Sequence, residues 1–191
     1  MRIDTASTWT GWYGGVSIGY AAGEVTRGTP SLPATANLKP DSFVGAVLGG
    51  YDHQFANNVV FGARVTVPIF SLKDSTPSGA VTLQSDATWA VIFAGRLGYS
   101  FGQWMPYVLG GGVWGGGKAT VVGIATVEQD HFGYIVGVGA EYRLYRNWSI
   151  DMNYSFISMG KETYNFVPFG GLPVVHGFES HNFMIGANYR F

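Results

Sequence analysis

The segment HNFMIGANYRF, residues 181–191, alternates large apolar side chains with polar ones. Phe183, Ile185 and Phe191 share one parity, whereas Asn182 and Arg190 share the other. Successive side chains of a β-strand point to opposite faces, so this pattern predicts a strand with two unlike faces. A frayed tail would not alternate in this way, and we therefore assign Phe191 to the strand.

Four segments share this local form: VLGGYDHQF, AGRLGYSFG, GVGAEYRLY and MIGANYRF. Their tyrosines, Tyr51, Tyr99, Tyr142 and Tyr189, recur at intervals of 43 to 48 residues. A period of this size can indicate propeller blades or repeat arrays. Here each interval holds only one further alternating segment, at residues 12–22, 59–70, 105–117 and 148–159. The repeating unit is therefore a hairpin, and four hairpins predict an all-β fold, an eight-stranded antiparallel up-and-down β-barrel.

The connections between these strands fall into two classes. Short turns follow the tyrosine-bearing strands, at residues 56–58, 102–104 and 146–147. Long loops are predicted at the other end, at residues 23–40, 71–84, 118–129 and 160–178. An even strand number with short turns at one end and long loops at the other is typical of transmembrane outer-membrane barrels. We expect one barrel domain over residues 11–191, preceded by an N-terminal periplasmic segment, residues 1–10.

The parity that carries the large apolar side chains is expected to face lipid, because an eight-stranded interior is too narrow to hold them. In residues 105–117 this rule places Tyr107, Leu109 and Val113 outside and Gly110 and Gly112 inside. The opposite parity holds small residues and charges. We expect those charges to pair across the lumen and to block steady conduction; they are Asp52, Arg64, Arg96, Glu141, Arg143, Asp151 and Arg190. The alternative is a soluble barrel on which the same charges are solvated.

Aromatic side chains gather near both ends of the predicted strands. Two such girdles suit the two lipid interfaces, where amphipathic rings are stabilised. The girdle at the short-turn end comprises Tyr51, Phe55, Tyr99, Phe101, Tyr107, Tyr142, Trp148, Tyr189 and Phe191. The girdle toward the long loops comprises Phe43, Trp89, Phe132, Phe156 and Phe183.

Composition supports a membrane protein and excludes several functions. Apolar residues make up 47% of the chain and charged residues 12%, about half the charged share of ordinary soluble domains. The net charge of -1 gives no basis for binding nucleic acid, which needs a clustered basic excess. The absence of cysteine excludes disulfides, thiol catalysis and cysteine-ligated metals.

The opening WTGWYGGVSIGYAAG, the strand ends GGY, LGY and AEY, and the closing NFMIGANYRF resemble the opacity/porin-like family of small outer-membrane barrels. This family is related in architecture to the OmpA transmembrane domain. The resemblance implies a Gram-negative outer-membrane location with both termini in the periplasm. It also implies that the barrel-insertion machinery reads the last strand and its terminal Phe191. Members of the family are mostly structural surface proteins.

Candidate chemistry is confined to the predicted loops. Four lysines could contact phosphates of lipopolysaccharide, with simple solvated loop charge as the alternative: Lys39, Lys73, Lys118 and Lys161. The apolar loop at residues 164–178 could bind a protein partner or cover the barrel mouth.

His131, His176 and His181 could approach one another, but no motif supports haem or metal binding. His176 and Ser180 could form a catalytic pair, but no nucleophile motif supports that activity. We therefore predict a structural barrel with no enzymatic activity, cofactor or metal; the alternatives are a narrow porin-like channel and, less favoured, a lipid-active enzyme or haem-binding protein.

Overall fold

The structure is a computed structural model, and it describes residues 8–29, 32–38, 41–71, 83–121, 125–166 and 172–191. Side chains are described for residues 8–23, 42–69, 90–115, 132–159 and 179–191. The strands in the described ranges are β1 (Gly11–Thr29), β2 (Leu32–Leu38), β3 (Asp41–Gln54), β4 (Val59–Ser71), β5 (Leu83–Tyr99), β6 (Trp104–Val121), β7 (Ala125–Tyr145), β8 (Trp148–Phe166) and β9 (Leu172–Arg190). In the same ranges, the structure contains no helix with the length and apolarity to cross a bilayer.

Eight of these strands close into a barrel, as the sequence predicts. Strands β3 to β9 pair with their neighbours in chain order, and β1 pairs with both β3 and β9. Every pair is antiparallel. Each of the eight strands is therefore paired on both sides along the part nearest the short turns, and such closure is the condition for a β-structure to cross a bilayer.

Strand β2 was not predicted. The pairing of β1 with β3 ends at Ala22, but β1 continues to Thr29 along β9. On the side that faces away from β9, the last residues of β1 no longer pair with β3. Strand β2 pairs with β1 on that side, between Val25 and Thr29. A strand edge left open is available for unwanted pairing, so β2 covers it.

Three of the four predicted long loops consist largely of strand residues, because the strands continue into them; the exception is the loop predicted at residues 71–84, where β4 ends at Ser71 and β5 begins at Leu83. β6 and β7 stay in register as far as the pair Val121 and Ala125, so most of the predicted loop 118–129 is strand. β8 and β9 likewise pair as far as Phe166 and Leu172, within the predicted loop 160–178. The segment KATVVGIATV, residues 118–127, is rich in β-branched residues that favour strands.

The outer face of the barrel is apolar. Phe93 and Ile185 have 50% and 48% of their surface exposed, although they lie in mid-strand. The predicted outward parity is confirmed for the described side chains of β1, β3, β4, β5, β7, β8 and β9. Exposed mid-strand residues of this face include Val16, Ile18, Val47, Phe61, Val65, Leu97, Val136, Val138 and Met152.

The predicted parity of β6 is wrong. Tyr107, Leu109 and Val113 are buried in the lumen, whereas Val108 and Trp114 face outward. Gly110 and Gly112 lie on the outward parity as well. The sequence MPYVLGGGVWGGG carries large apolar side chains and glycines on both parities, so side-chain size alone could not separate the faces. It follows that Tyr107 does not belong to the girdle at the short-turn end.

Candidate functional site: the barrel lumen

Glycines on the inner face create the space that the lumen side chains occupy. Gly62 of β4 faces Asp52 of β3, and a Cβ atom at Gly62 would overlap the Asp52 carboxylate. Gly139 of β7 faces Tyr107 of β6, where a Cβ atom would lie 2.5 Å from the ring. The glycine-rich strands therefore make room for bulky polar groups in a narrow barrel.

Asp52 is the centre of one ion cluster. Its side chain is fully buried and accepts hydrogen bonds from two nitrogens of Arg96; the bond from Nε to Oδ1 measures 2.7 Å. Arg190 Nη2 donates to Asp52 Oδ2 at 2.8 Å. Arg96 Nη1 also donates to Glu141 Oε2 at 2.9 Å, and the other oxygen of Glu141 accepts from Ser149 Oγ at 2.6 Å. Two carboxylates and two guanidiniums thus neutralise one another, as buried charges require.

Arg64 and Asp151 form a second ion cluster beside the first. Arg64 Nη2 lies 2.7 Å from Asp151 Oδ2, an ion contact without hydrogen-bond geometry. The Tyr107 hydroxyl donates to Asp151 Oδ1 at 2.5 Å. Arg64 donates to the hydroxyl oxygens of Tyr13 and Tyr107, at 3.2 and 3.3 Å. Both tyrosines thereby connect the charges into one polar layer.

The rings of Tyr13 and Tyr107 also contact the guanidiniums. The Arg96 Cζ atom lies 4.6 Å from the centre of the Tyr13 ring and 5.3 Å from that of Tyr107. The Arg190 Cζ atom lies 5.0 Å from the Tyr13 ring centre. Such cation–π contacts gain strength where water is excluded. Our sequence reasoning missed Tyr13, although it shares the inward parity of Gly15 and Ser17.

Trp9 fills the end of the lumen at the short turns. Its ring is fully buried, and the Nε1 group donates to the carbonyl of Gly102 at 3.2 Å. Its backbone N donates to Gln54 Oε1 at 2.8 Å, and its carbonyl accepts from Arg190 Nη1 at 2.5 Å. Residues 8–10 therefore reach into the barrel end instead of lying wholly before it. The domain boundary at residue 10 stays a prediction, and residues 1–7 lie outside the described part of the chain.

Arg143 differs from the other six predicted lumen charges, which form the ion pairs described above. Its Nη2 donates to the carbonyl of Thr8 at 3.0 Å, and its guanidinium lies 4.3 Å from the centre of a Trp9 ring. Arg143 thus holds the N-terminal segment in place and is not part of the ion clusters.

Farther from the short turns, the lumen becomes largely apolar on one side. A patch of β5 to β8 is lined by Ile92, Ala94, Leu109, Val113, Ile135, Ile157 and Met159. Nearer the short turns, opposite Ser149 of β8, Asn188 of β9 is fully buried, and neither its Oδ1 nor its Nδ2 has a hydrogen-bond partner among the described residues. A buried amide of this kind is usually satisfied by ordered water.

The outer face at the short-turn end carries paired aromatic rings. Ring centres lie 5.2 Å apart for Trp12 and Tyr51, and 4.6 Å apart for Trp104 and Tyr142. Further pairs are Tyr99 with Phe101, Trp148 with Tyr189, and Tyr189 with Phe191. Of the nine predicted girdle residues, the eight other than Tyr107 thus lie on the outer face at this end, and sequence reasoning had not included Trp12 and Trp104.

Most of the candidate loop residues have side chains outside the described set. Lys39 and Lys73 lie outside the described residues; Lys118 and Lys161 are on β6 and β8, with side chains outside the described set. The same holds for the side chains of His131, His176 and residues 164–178. His181 lies on the outer face of β9, its Nδ1 2.7 Å from the Tyr154 hydroxyl. Among the described residues, no group of three or more His, Cys, Asp or Glu side chains is arranged to hold a metal.

Comparison with known proteins identifies the family. Residues 4–191 match the outer membrane protein beta-barrel domain. The chain belongs to this family. It is 30% identical to the 31 kDa outer-membrane immunogenic protein of Brucella melitensis, across 99% of this chain and 86% of that protein.

Solved structures support the fold. The crystal structure of OprG from Pseudomonas aeruginosa matches with a TM-score of 0.61 and 13% identity, over 98% of this chain and 99% of that one. Neisserial surface protein A matches with a TM-score of 0.54 and 15% identity, over 92% of this chain and 97% of that one. These identities are low, so both structures inform the architecture alone.

The family assigns the two ends of the barrel. The protein lies in the bacterial outer membrane, where short turns face the periplasm and longer connections face outward. Trp9 and Phe191 both lie at the short-turn end, so the described termini are periplasmic. Toward the outward hairpins, the exposed rings of Phe43, Phe132, Tyr134 and Phe183 form a second girdle, and the side chain of Trp89 lies outside the described set. The exposed apolar face between the two girdles is then the surface that contacts lipid.

Proposed function

We propose that this outer-membrane protein is a structural barrel with a closed lumen, which presents its outward hairpins for contact with lipid or protein. The observation that carries the proposal is the filled periplasmic half of the lumen. Asp52, Arg96 and Glu141 are at most 2% exposed, and Trp9 fills the barrel end below them. A narrow eight-stranded interior blocked by paired side chains has little room for a water column.

Solute flux into proteoliposomes tests this proposal. Liposomes that hold the refolded protein are expected to exclude glycerol, small amino acids and sugars as well as protein-free liposomes do. Correct folding is verified by the shift in gel mobility on heating. Swelling that falls with solute size would instead establish a narrow porin-like channel.

That channel is the second candidate function, and one observation favours it. The unpartnered amide of Asn188 lies in the lumen, where it would be satisfied by water. Water at this position, next to the ion clusters, is the first requirement for a polar path. Solute passage through such a channel would therefore require the ion pairs and Trp9 to move aside.

We place partner contacts at the two ends of the barrel. At the outer end, Lys39, Lys73, Lys118 and Lys161 would contact lipopolysaccharide phosphates, and residues 164–178 would contact a protein partner. At the periplasmic end, the β9 strand and Phe191 would be read by the barrel-insertion machinery. Phe191 supports this role because its side chain is 80% exposed. Replacing the four lysines by Gln and measuring co-purified lipopolysaccharide tests the first contact.

We further propose that the protein has no enzymatic activity and binds no haem. His181 faces the membrane side of β9 and pairs with Tyr154, away from the lumen and from Ser180, whose side chain is buried. A hydrolytic site would need a nucleophile and a base within hydrogen-bond reach. Incubation of the refolded protein with lipid A and phospholipids should therefore leave both chemically unchanged.

A further inference from the structure

A groove runs along the lipid-facing wall of the barrel where β7, β8, β9 and β1 lie side by side. Its lower part is lined by Val16, Ser17, Ile18, Ile150, Ile185, Gly186 and Ala187. Its upper part is lined by Ile18, Gly19, Val138, Met152, Asn153, Tyr154, Phe183, Met184 and Ile185. Ile18 and Ile185 line both parts, so the two parts adjoin in one shallow, open groove. The small outward-facing residue Ala187 produces the depression between larger neighbours such as Ile185 and Val16.

The upper end of this groove carries a polar pair. The hydroxyl of Tyr154, which lines the groove, lies 2.7 Å from His181 Nδ1. The His181 ring packs against Phe156, with ring centres 5.1 Å apart, and Tyr154 packs against Phe183 at 4.8 Å. Neighbouring rings thus fix the orientation of both polar groups. With Nδ1 engaged by Tyr154, the second ring nitrogen of the exposed His181 is left to meet a ligand.

We propose that the groove and the Tyr154–His181 pair form a binding site for one phosphorylated, acylated lipid of the outer leaflet. The groove is part of the lipid-facing surface, so an acyl chain is the group that can fill it. The polar pair stands toward the outward hairpins, at the girdle where the headgroups of the outer leaflet lie. When the Tyr154 hydroxyl donates to His181 Nδ1, the imidazole proton lies on Nε2, and this Nε2–H group can donate a hydrogen bond to a phosphate. This site deepens the proposed lipopolysaccharide contact, and it does not depend on the closed lumen.

Retention of lipid A by the refolded protein tests the site. Protein in detergent is loaded with diphosphoryl lipid A or with phosphatidylethanolamine, washed, and the bound lipid is counted by native mass spectrometry. The wild type should retain lipid A in preference to phosphatidylethanolamine. His181→Phe should lower retention about tenfold, the order expected for one hydrogen bond to a charged group. Tyr154→Phe, which removes the group that holds the His181 proton on Nε2, should lower retention as well but to a smaller extent. Ala187→Phe, which fills the groove, should lower retention as well.

Matched controls come from the same chain. His53 is also exposed on the outer face, but it lies at the periplasmic end against Phe55, so His53→Phe should leave retention unchanged. Tyr134 is an exposed tyrosine of the same girdle, packed on Phe156, and Tyr134→Phe should also have no effect. All variants must show the wild-type mobility shift on heating.

Three outcomes would overturn the site. Retention that is equal for lipid A and phosphatidylethanolamine would show no headgroup recognition. Retention unchanged in His181→Phe and Tyr154→Phe would remove the polar pair from the site. Loss only in the variant with Gln at Lys39, Lys73, Lys118 and Lys161 would place lipid A at the loops; that result would leave the proposed lipopolysaccharide contact intact while rejecting the groove.

Discussion

Individual residues explain why charges are tolerated inside this barrel. Asp52 accepts hydrogen bonds from Arg96 and Arg190, and it has no exposed surface. A buried carboxylate so placed is not a strong source of net stability, because desolvation offsets the attraction. Its removal is costly all the same, since two guanidiniums lose their partner.

The substitution Asp52→Asn should therefore destabilise the barrel. We expect the free energy of unfolding to fall by about 3–5 kcal/mol, the range found when one partner of a buried ion pair is removed. Urea unfolding in lipid vesicles measures the change. Glu179, an exposed carboxylate on β9, provides the control, and Glu179→Gln should stay within about 0.5 kcal/mol of wild type. Equal effects of both substitutions would show that the ion cluster does not stabilise the fold.

Trp9 offers a second comparison, because Trp12 lies nearby on the opposite face. Trp9 is fully buried, and Trp12 is 67% exposed. Trp9→Ala should lower the free energy of unfolding by about 3 kcal/mol through the cavity it leaves. Trp12→Ala should cost less than half as much when both are measured in the same detergent. A larger loss for Trp12 would mean that the N-terminal segment does not anchor the barrel end.

Residue-level prediction from sequence placed the strand charges in the lumen correctly but missed three aromatic residues that also lie there. A charged side chain in mid-strand, such as that of Arg96, can face only the lumen, so its position shows which parity of the strand faces inward. A tyrosine or tryptophan is stable both at a lipid interface and against a guanidinium. For that reason Trp9, Tyr13 and Tyr107 could not be assigned to the lumen by residue type.

At the scale of strands, β6 is where the pattern was ambiguous and the structure decided. Tyr107 and Leu109 project inward because the inner face of the neighbouring β7 carries glycines such as Gly137 and Gly139, opposite these residues. This complementarity is between strands, and the sequence of one strand does not contain it. The same limit applies to β2, which forms because β1 extends beyond β3.

Spin labels can test the faces of β6, since the chain has no cysteine of its own. Val108→Cys and Leu109→Cys place labels on adjacent residues with opposite faces. The label at 108 should collide with oxygen dissolved in the lipid, whereas the label at 109 should be shielded. The reverse result would mean that Leu109 faces lipid and Val108 faces the lumen, as side-chain size alone predicted.

Phe191 was predicted to belong to the last strand, but β9 ends at Arg190 and Phe191 follows it, with its backbone N donating to the carbonyl of Trp12. The proposed role of Phe191 is in assembly. Because Phe191 is largely exposed, Phe191→Ala should change the stability of refolded protein little and should reduce the amount assembled in the outer membrane of cells. The control is Phe55→Ala, since Phe55 is an exposed aromatic in the turn after β3 at the same end. A similar loss of assembled protein for both variants would argue for a general girdle effect.

For the whole molecule, the sequence was sufficient to predict the closed barrel and its location. Strand number, the two classes of connection and the apolar outer face all follow from period-2 alternation, which survives errors in any single strand. The state of the lumen does not follow from this pattern, because it depends on which side chains meet across the barrel. Ion pairs such as Arg64 with Asp151 join strands that are far apart in sequence.

The closed lumen is the central claim, and single-channel recording in a planar bilayer tests it most directly. Refolded wild-type protein, inserted and checked by heat-dependent gel mobility, should give no conductance steps above the bare bilayer. Discrete and reproducible steps would contradict the claim, because ions could then pass the layer formed by Asp52, Arg96, Glu141 and Trp9.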